Sequence, residues 1–313
     1  MQNEQPVNLK GIAWSAMQQY GFIPAFPSHV IREVGALSED AVPETQRDLR
    51  SLLWSSIDNH DSEDLDQIEV CEPGENGTIR VRVAIADVDS RVPKGSATDR
   101  HAAHNGTSVY TGVTTFPMLP LRLSAGITSL LPGRDRMAIV IEYTVLADGR
   151  TRPGEIYPAL VRNHAKLVYE EVGDWLAGSG PVPGTVGETP GLAEQVALQH
   201  EAAMRMKKRR TEQGALALET IEAEPVVEGN RVMALVIQEQ NLARCLIEEF
   251  MVAANGTLTA FLAAAGLPMI HRVVRTPRNW DGIVREAAEH GETLPDRPDA
   301  EALTRFLIRQ KAA

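Results

Sequence analysis

The sequence is 313 residues long, 43% hydrophobic and 23% charged, with a formal net charge of −11. That length is enough for one large domain or two ordinary ones around a buried core. A pI of about 5.3 argues against a protein that coats nucleic acid with a broad basic face, while leaving room for a narrow basic channel or an acidic metal site. No apolar run reads as long enough to span a bilayer, and the N-terminus MQNEQPVNLKG lacks the basic-then-apolar layout of a signal peptide. Cys71 and Cys245 are too few and too far apart for a disulfide framework, so a reducing cytoplasm is the expected compartment.

Residues 1–50 read as an N-terminal arm, helical and then irregular. Leu9, Ile12, Met17 and Tyr20 give a loose helical stripe, and Pro24, Pro27 and Pro43 interrupt the remainder of the arm. Residues 51–313 form the main unit. Ile79 to Ala86 alternates and is rich in β-branched residues, with GENG at 74–77 as the preceding hairpin turn. A second strand pair is expected at 137–146 and 150–161. Residues 165–177 read as an amphipathic helix, and the Gly- and Pro-dense stretch 178–191 as an exposed loop. A long helix is expected over 192–212, ending in the basic run Lys207-Lys208-Arg209-Arg210. Two strands are expected between Ile221 and Ile237 around Glu228-Gly229-Asn230. The segment 239–265 reads as a second long helix, apolar on nearly every face and therefore central. Pro277, Pro295 and Pro298 break up the remainder. No repeat emerges, and one α+β domain behind a short arm is the simplest organisation.

The sharpest local feature runs from Ser56 to Ile68 (SIDNHDSEDLDQI), where acidic and amide side chains crowd between apolar, strand-like flanks. Carboxylates held close repel one another and need a cation or shared protons. A hard divalent metal bound through oxygens is one answer, and an acidic surface turn with no ligand is the other. A helix-loop-helix calcium site fits poorly. Asp58 and Glu69 have the spacing of its first and last ligands, but Glu63 stands where the sharp turn wants glycine.

The cluster opens an ordered series of short motifs. Asp58 and Asp64-Leu65-Asp66 are succeeded by Ala84-Ile85-Ala86-Asp87-Val88, Gly106-Thr107-Ser108-Val109-Tyr110, Pro117-Met118-Leu119-Pro120, Leu123-Ser124 and Ser129-Leu130. Lys166-Leu167-Val168-Tyr169, Gly214-Ala215-Leu216 and Ile247 to Asn255 continue it. In order and spacing, over roughly residues 52–275, this series resembles the ribonuclease II and ribonuclease R family. Single pieces are weak signals, and the ordered set is a strong one.

The resemblance implies a mixed β-sheet with packed helices enclosing a channel for single-stranded RNA. It implies a 3′-to-5′ exoribonuclease releasing nucleoside 5′-monophosphates, with neither a membrane nor a nucleotide cofactor involved. Carried over by position, Asp58, Asp64 and Asp66 would be catalytic and hold Mg2+, or Mn2+, with Gln67 beside them. Tyr110 would stack on the terminal base, where the alternative is a core tyrosine anchored by its hydroxyl. Tyr169 would contact RNA, or else pack near Trp175. Glu248 would lie near the 3′-terminal nucleotide, or else pair with Arg244 one turn earlier. The basic run at 207–210 would line the RNA path or simply be a solvated helix end that favours cations.

Three departures qualify the resemblance. Gln67 stands where the family has a further aspartate; its amide offers an oxygen but cannot act as a base. Leu218 stands where a phenylalanine commonly clamps the terminal base. The sequence also ends, at Ala313, before the family's arginine-bearing segment and β-barrel domain, so an incomplete catalytic domain is expected. These departures keep open a second reading, a catalytically weak or inactive RNA-binding module.

Overall fold

The computed structural model of the chain describes residues 7–38, 47–216, 222–228, 231–238, 240–270 and 279–312. The arm contains α1 (Leu9–Gln19) and α2 (Ser28–Gly35). Asn8 caps α1 by accepting from the Gly11 N–H at 3.0 Å, which satisfies one of the amides a helix start leaves unpaired.

Beyond the arm, strands β1 (Arg47–Asp48), β2 (Trp54–Asp58), β3 (Gln67–Pro73) and β4 (Ile79–Ala86) precede helix α3 (Ala97–Asn105). The small hairpin β5 (Val109–Tyr110) and β6 (Thr115–Phe116) comes next, then β7 (Asp135–Val145) and β8 (Thr151–Val168). The main sheet has the order β1-β8-β2-β3-β4-β7, and β7 pairs in addition with β8. The pairings among β2, β3, β4, β7 and β8 therefore close into a ring, which leaves few open edges.

Closure depends on the length of β8. Its first part runs antiparallel to β7, from Thr151 opposite Val145 to Arg162 opposite Asp135. Its last part runs parallel to β2, with Lys166 opposite Ser56 and Val168 opposite Asp58. Residues 165–168, expected in a helix, are thus strand instead. Their backbone pairing with β2 holds them in the sheet, and helix α4 spans only Tyr169–Ala177.

Alternation along the strands sends side chains to two faces. Trp54, Ile68, Val70, Ala84, Val140 and Val161 form one cluster with Leu65 and Leu130. Ile57, Cys71, Val81, Val83, Ile141 and Tyr143 pack on the other face beneath α6 (Leu192–Glu212) and α7 (Leu242–Ala264). Each such large apolar side chain contributes about 1.5–3 kcal/mol when fully buried.

By length and composition α7 is apolar enough to cross a bilayer, which corrects the reading that no such run exists. Its Ala243, Leu246, Ile247 and Phe250 are buried against the sheet. The stretch expected as a loop at 178–191 contains the one-turn helix α5 (Gly184–Glu188), with Val186 buried. Strands β9 (Glu222–Glu228) and β10 (Arg231–Gln238) pair as a separate hairpin. Helices α8 (Trp280–Glu289) and α9 (Ala300–Ala312) share a small cluster around Trp280, Leu294 and Phe306. Leu218, Gly229 and Asn230 lie outside the described residues.

Candidate active site

The acidic segment is the loop from the last residue of β2, Asp58, to the first residue of β3, Gln67, at one end of the sheet ring. Its backbone is tied down at several points. Lys166 Nζ donates to the carbonyls of His60 (2.8 Å) and Ser62 (2.6 Å). Ser129 Oγ donates to the Glu63 carbonyl at 2.7 Å and accepts from the Leu65 N–H at 3.0 Å. Leu130 N–H donates to the Leu65 carbonyl and Ala86 N–H to the Asp66 carbonyl, each at 2.9 Å. The Leu65 side chain is buried in the sheet core. These tethers leave the carboxylates on either side of Leu65 free to point outward. They also explain the scattered motifs, because Ser129-Leu130, Lys166 and Ala86 all hold one loop.

Asp58 Oδ1 accepts from its neighbour's N–H, at Asn59, and from Ser62 Oγ, both at 2.7 Å. Asp64 Oδ2 accepts from the Tyr110 hydroxyl at 3.2 Å. Asp66 opens to solvent on one side but is ringed by protein on the others. Loss of solvation, then the charges of Asp58 and Asp64, raise its carboxyl above the ordinary range. The three aspartates thus share one electrostatic neighbourhood. Behind them Glu69 is fully buried, and neither of its carboxyl oxygens has a hydrogen-bond partner. Burial, then Asp66 and Asp58, push its pKa well up.

Among the described residues, no three His, Cys, Asp or Glu side chains form a ready-made metal cage. In kind, the donors fit a hard cation, being all oxygen and crowded with like charge. In arrangement, Asp58 and Asp64 are turned to local partners. Gln67 is buried at the start of β3.

Tyr110 is 67% exposed, its hydroxyl tethered to Asp64 and its ring open to solvent. Tyr169 packs in the same core cluster as Trp175, and the Arg244 guanidinium covers its ring at 4.4 Å from the centroid. Burial, then Asp58 and Glu69, raise the Tyr169 pKa. Arg244 does not pair with Glu248. It donates to Glu170 Oε1 at 2.8 Å and Asn59 Oδ1 at 3.2 Å, so it ties α7 to α4 and to the acidic loop. Glu248 is exposed and lies 3.7 Å from Arg210, which also faces the buried Glu249 at 3.3 Å. Arg210 therefore neutralises α7, whatever the rest of the basic run does.

Sequence reasoning brings Asp58, Asp64, Asp66 and Tyr110 to one place, and the structure does so too. It passes over Lys166, Ser129 and Glu69 as site residues. A signal for Glu69 exists in the sequence: alternation puts it on the same strand face as Cys71, where a carboxylate has no solvent.

The ring-shaped mixed sheet matches the fold of part of ribonuclease R. Mycoplasma genitalium RNase R in complex with ribose methylated single-stranded RNA superposes with a TM-score of 0.86 at 24% identity, over 99% of this chain and 48% of that one. Yeast Ssd1, described as a pseudonuclease, superposes with a TM-score of 0.66 at 17% identity, over 85% of this chain and 32% of that one. In sequence, the chain is 35% identical over 259 residues to ribonuclease R of Thermotoga maritima, covering 80% of this chain and 36% of that protein. It is 33% identical over 309 residues to ribonuclease R of Escherichia coli, covering 91% and 38%. The chain thus spans little more than a third of these curated relatives. Residues 46–310 match the RNB domain model, and the chain belongs to the RNB domain family.

Proposed function

We propose that the chain acts as a 3′-to-5′ exoribonuclease on single-stranded RNA, releasing nucleoside 5′-monophosphates at a Mg2+ or Mn2+ site formed by Asp58, Asp64 and Asp66. The observation that carries this reading is one loop, tethered by its backbone, that gathers three mutually repelling aspartates beside a solvent-facing tyrosine. Bound there, a divalent cation would neutralise phosphate charge and lower the pKa of water.

The chain's own residues supply the rest. The Tyr110 ring offers a sequence-tolerant stacking face, worth about 1–3 kcal/mol per base. Lys166 and Ser129 hold the backbone of the loop that carries the carboxylates. An aspartate of this set that the cation does not fully engage would take a proton from the attacking water. Gln67 offers a carbonyl oxygen but no charge.

Gln67 also favours a second reading, an RNA-binding module with weak or no catalysis, because one charge of the family's acidic set is missing. Incubation with 5′-labelled single-stranded RNA and Mg2+ or Mn2+ separates the two. A ladder shortening from the 3′ end, abolished by Asp66→Asn, is expected. Binding without shortening overturns the nuclease in favour of the module.

A further inference from the structure

Between β4 and β7 the chain makes an excursion that carries α3 and the β5–β6 hairpin. That hairpin pairs only two residues with two, Val109 with Phe116 and Tyr110 with Thr115, and is separate from the main sheet. Two strands this short have no stability of their own, so side-chain contacts must fix where Tyr110 stands. The Tyr110 hydroxyl's bond to Asp64 is one of them, and the arm provides others. The Glu33 carboxylate, on α2, accepts from the Ala97 and Thr98 N–H groups at 2.8 and 3.0 Å and from Thr98 Oγ1 at 2.6 Å, capping the start of α3 from outside. At the other end of α3, Asn105 bonds both backbone groups of Ile23 at 3.0 Å. On the hairpin itself, the Trp14 ring sits 6.0 Å from that of Phe116, tilted by 59°. Phe116 is buried while Trp14 remains 42% exposed.

We infer that the N-terminal arm is a positioning element for Tyr110, with Trp14 seating Phe116 and so fixing the hairpin that presents the tyrosine ring. This rests on the reading of Tyr110 as an RNA-stacking residue. Trp14 itself touches no reacting group; it acts through the hairpin. An aromatic pair at this separation is worth about 0.5–1.5 kcal/mol beyond area burial, a roughly 2- to 13-fold effect on an equilibrium. Because Trp14 is partly exposed, its replacement leaves the core intact.

The test uses the full chain carrying Asp66→Asn, so that RNA is not consumed, and measures affinity for a labelled single-stranded oligonucleotide. Trp14→Ala, Tyr110→Ala, their combination and Trp14→Phe are compared, with thermal unfolding monitored for each. Trp14→Ala is expected to weaken binding about 3- to 10-fold, Trp14→Phe to restore most of it, and the double variant to bind no more weakly than Tyr110→Ala alone. Wild-type affinity in folded Trp14→Ala, or additive losses in the double variant, would overturn the positioning role while leaving the RNA site standing. No loss in Tyr110→Ala would sink the stacking reading, and the inference with it.

Discussion

The Tyr110 hydroxyl donates to Asp64 Oδ2 at 3.2 Å, across 46 residues of sequence, and so joins the tethered acidic loop to the small hairpin. The ring and the hydroxyl therefore have separable roles. Tyr110→Phe keeps the stacking face and frees Asp64, whereas Tyr110→Ala removes both. Tyr110→Ala is expected to weaken RNA binding by about 1–3 kcal/mol, and Tyr110→Phe by much less. Titration of labelled RNA against both variants checks this; equal losses would show that the hydroxyl, not the ring, matters.

Lys166 illustrates how the sheet fixes the site. Its ammonium bonds the His60 and Ser62 carbonyls from a strand position paired with Ser56. Lys166→Met keeps the aliphatic stem and removes both bonds. Hydrogen bonds from a charged donor are worth about 1.5–3 kcal/mol each at most, so a loss of about 2 kcal/mol in unfolding free energy is expected. The larger expected effect is on turnover, at least tenfold, with RNA affinity little changed because Tyr110 is untouched. Steady-state cleavage beside equilibrium binding would detect the split, and unchanged turnover would remove Lys166 from the site.

Much of this is legible in the residues, for reasons that differ by element. The β3–β4 hairpin is legible from the β-branched, alternating run that begins at Ile79 and from the GENG turn before it, a local signal. The acidic loop stands out because carboxylates crowd between apolar flanks. Residues 165–168 mislead because their pattern suits a helix or a strand, and the deciding partner, β2, lies more than a hundred residues earlier. Arg244 misleads in the same way. Glu248 is its neighbour one turn along the helix, whereas its actual partners, Glu170 and Asn59, arrive only through the fold.

Glu69 makes stability depend on pH in an identifiable direction. Its carboxyl is buried without a partner and its folded-state pKa is raised, first by burial and then by Asp66 and Asp58. Such a group binds its proton more tightly when folded. Its contribution is therefore intact below the unfolded pKa near 4.5 and is lost as pH rises toward the folded value. Without divalent cations, stability should fall as pH rises above the unfolded value near 4.5, and Glu69→Gln should flatten that fall. Urea unfolding in chelator at several pH values reads this directly; parallel pH profiles would refute it.

Glu33 works with the opposite sign. Its bonds to Thr98, first through the hydroxyl and then the backbone, lower its pKa from 4.5 to about 2. Its contribution is present above the unfolded value and is lost as pH falls through about 2. Solvent reaches this carboxylate and screens it, so Glu33→Gln should cost only about 1 kcal/mol at neutral pH and nearly nothing near the folded-state pKa. Melting curves at neutral pH and at the lowest pH where the fold persists provide the comparison. A cost independent of pH would mean that the carboxylate's charge is not what holds α2 to α3.

Gln67 offers the most direct handle on metal use. It opens β3 beside Asp66, and Gln67→Asp would add a fourth carboxylate to the set formed by Asp58, Asp64 and Asp66. Added negative charge strengthens binding of a hard cation, while without the cation it increases repulsion and destabilises the loop. The variant should therefore need several-fold less Mg2+ for half-maximal cleavage, yet melt lower than the parent in chelator. Both changes come from one carboxylate and should appear together. Cleavage and thermal unfolding across a Mg2+ titration measure both. A lower melting temperature without a shift in Mg2+ requirement would place residue 67 outside the metal site.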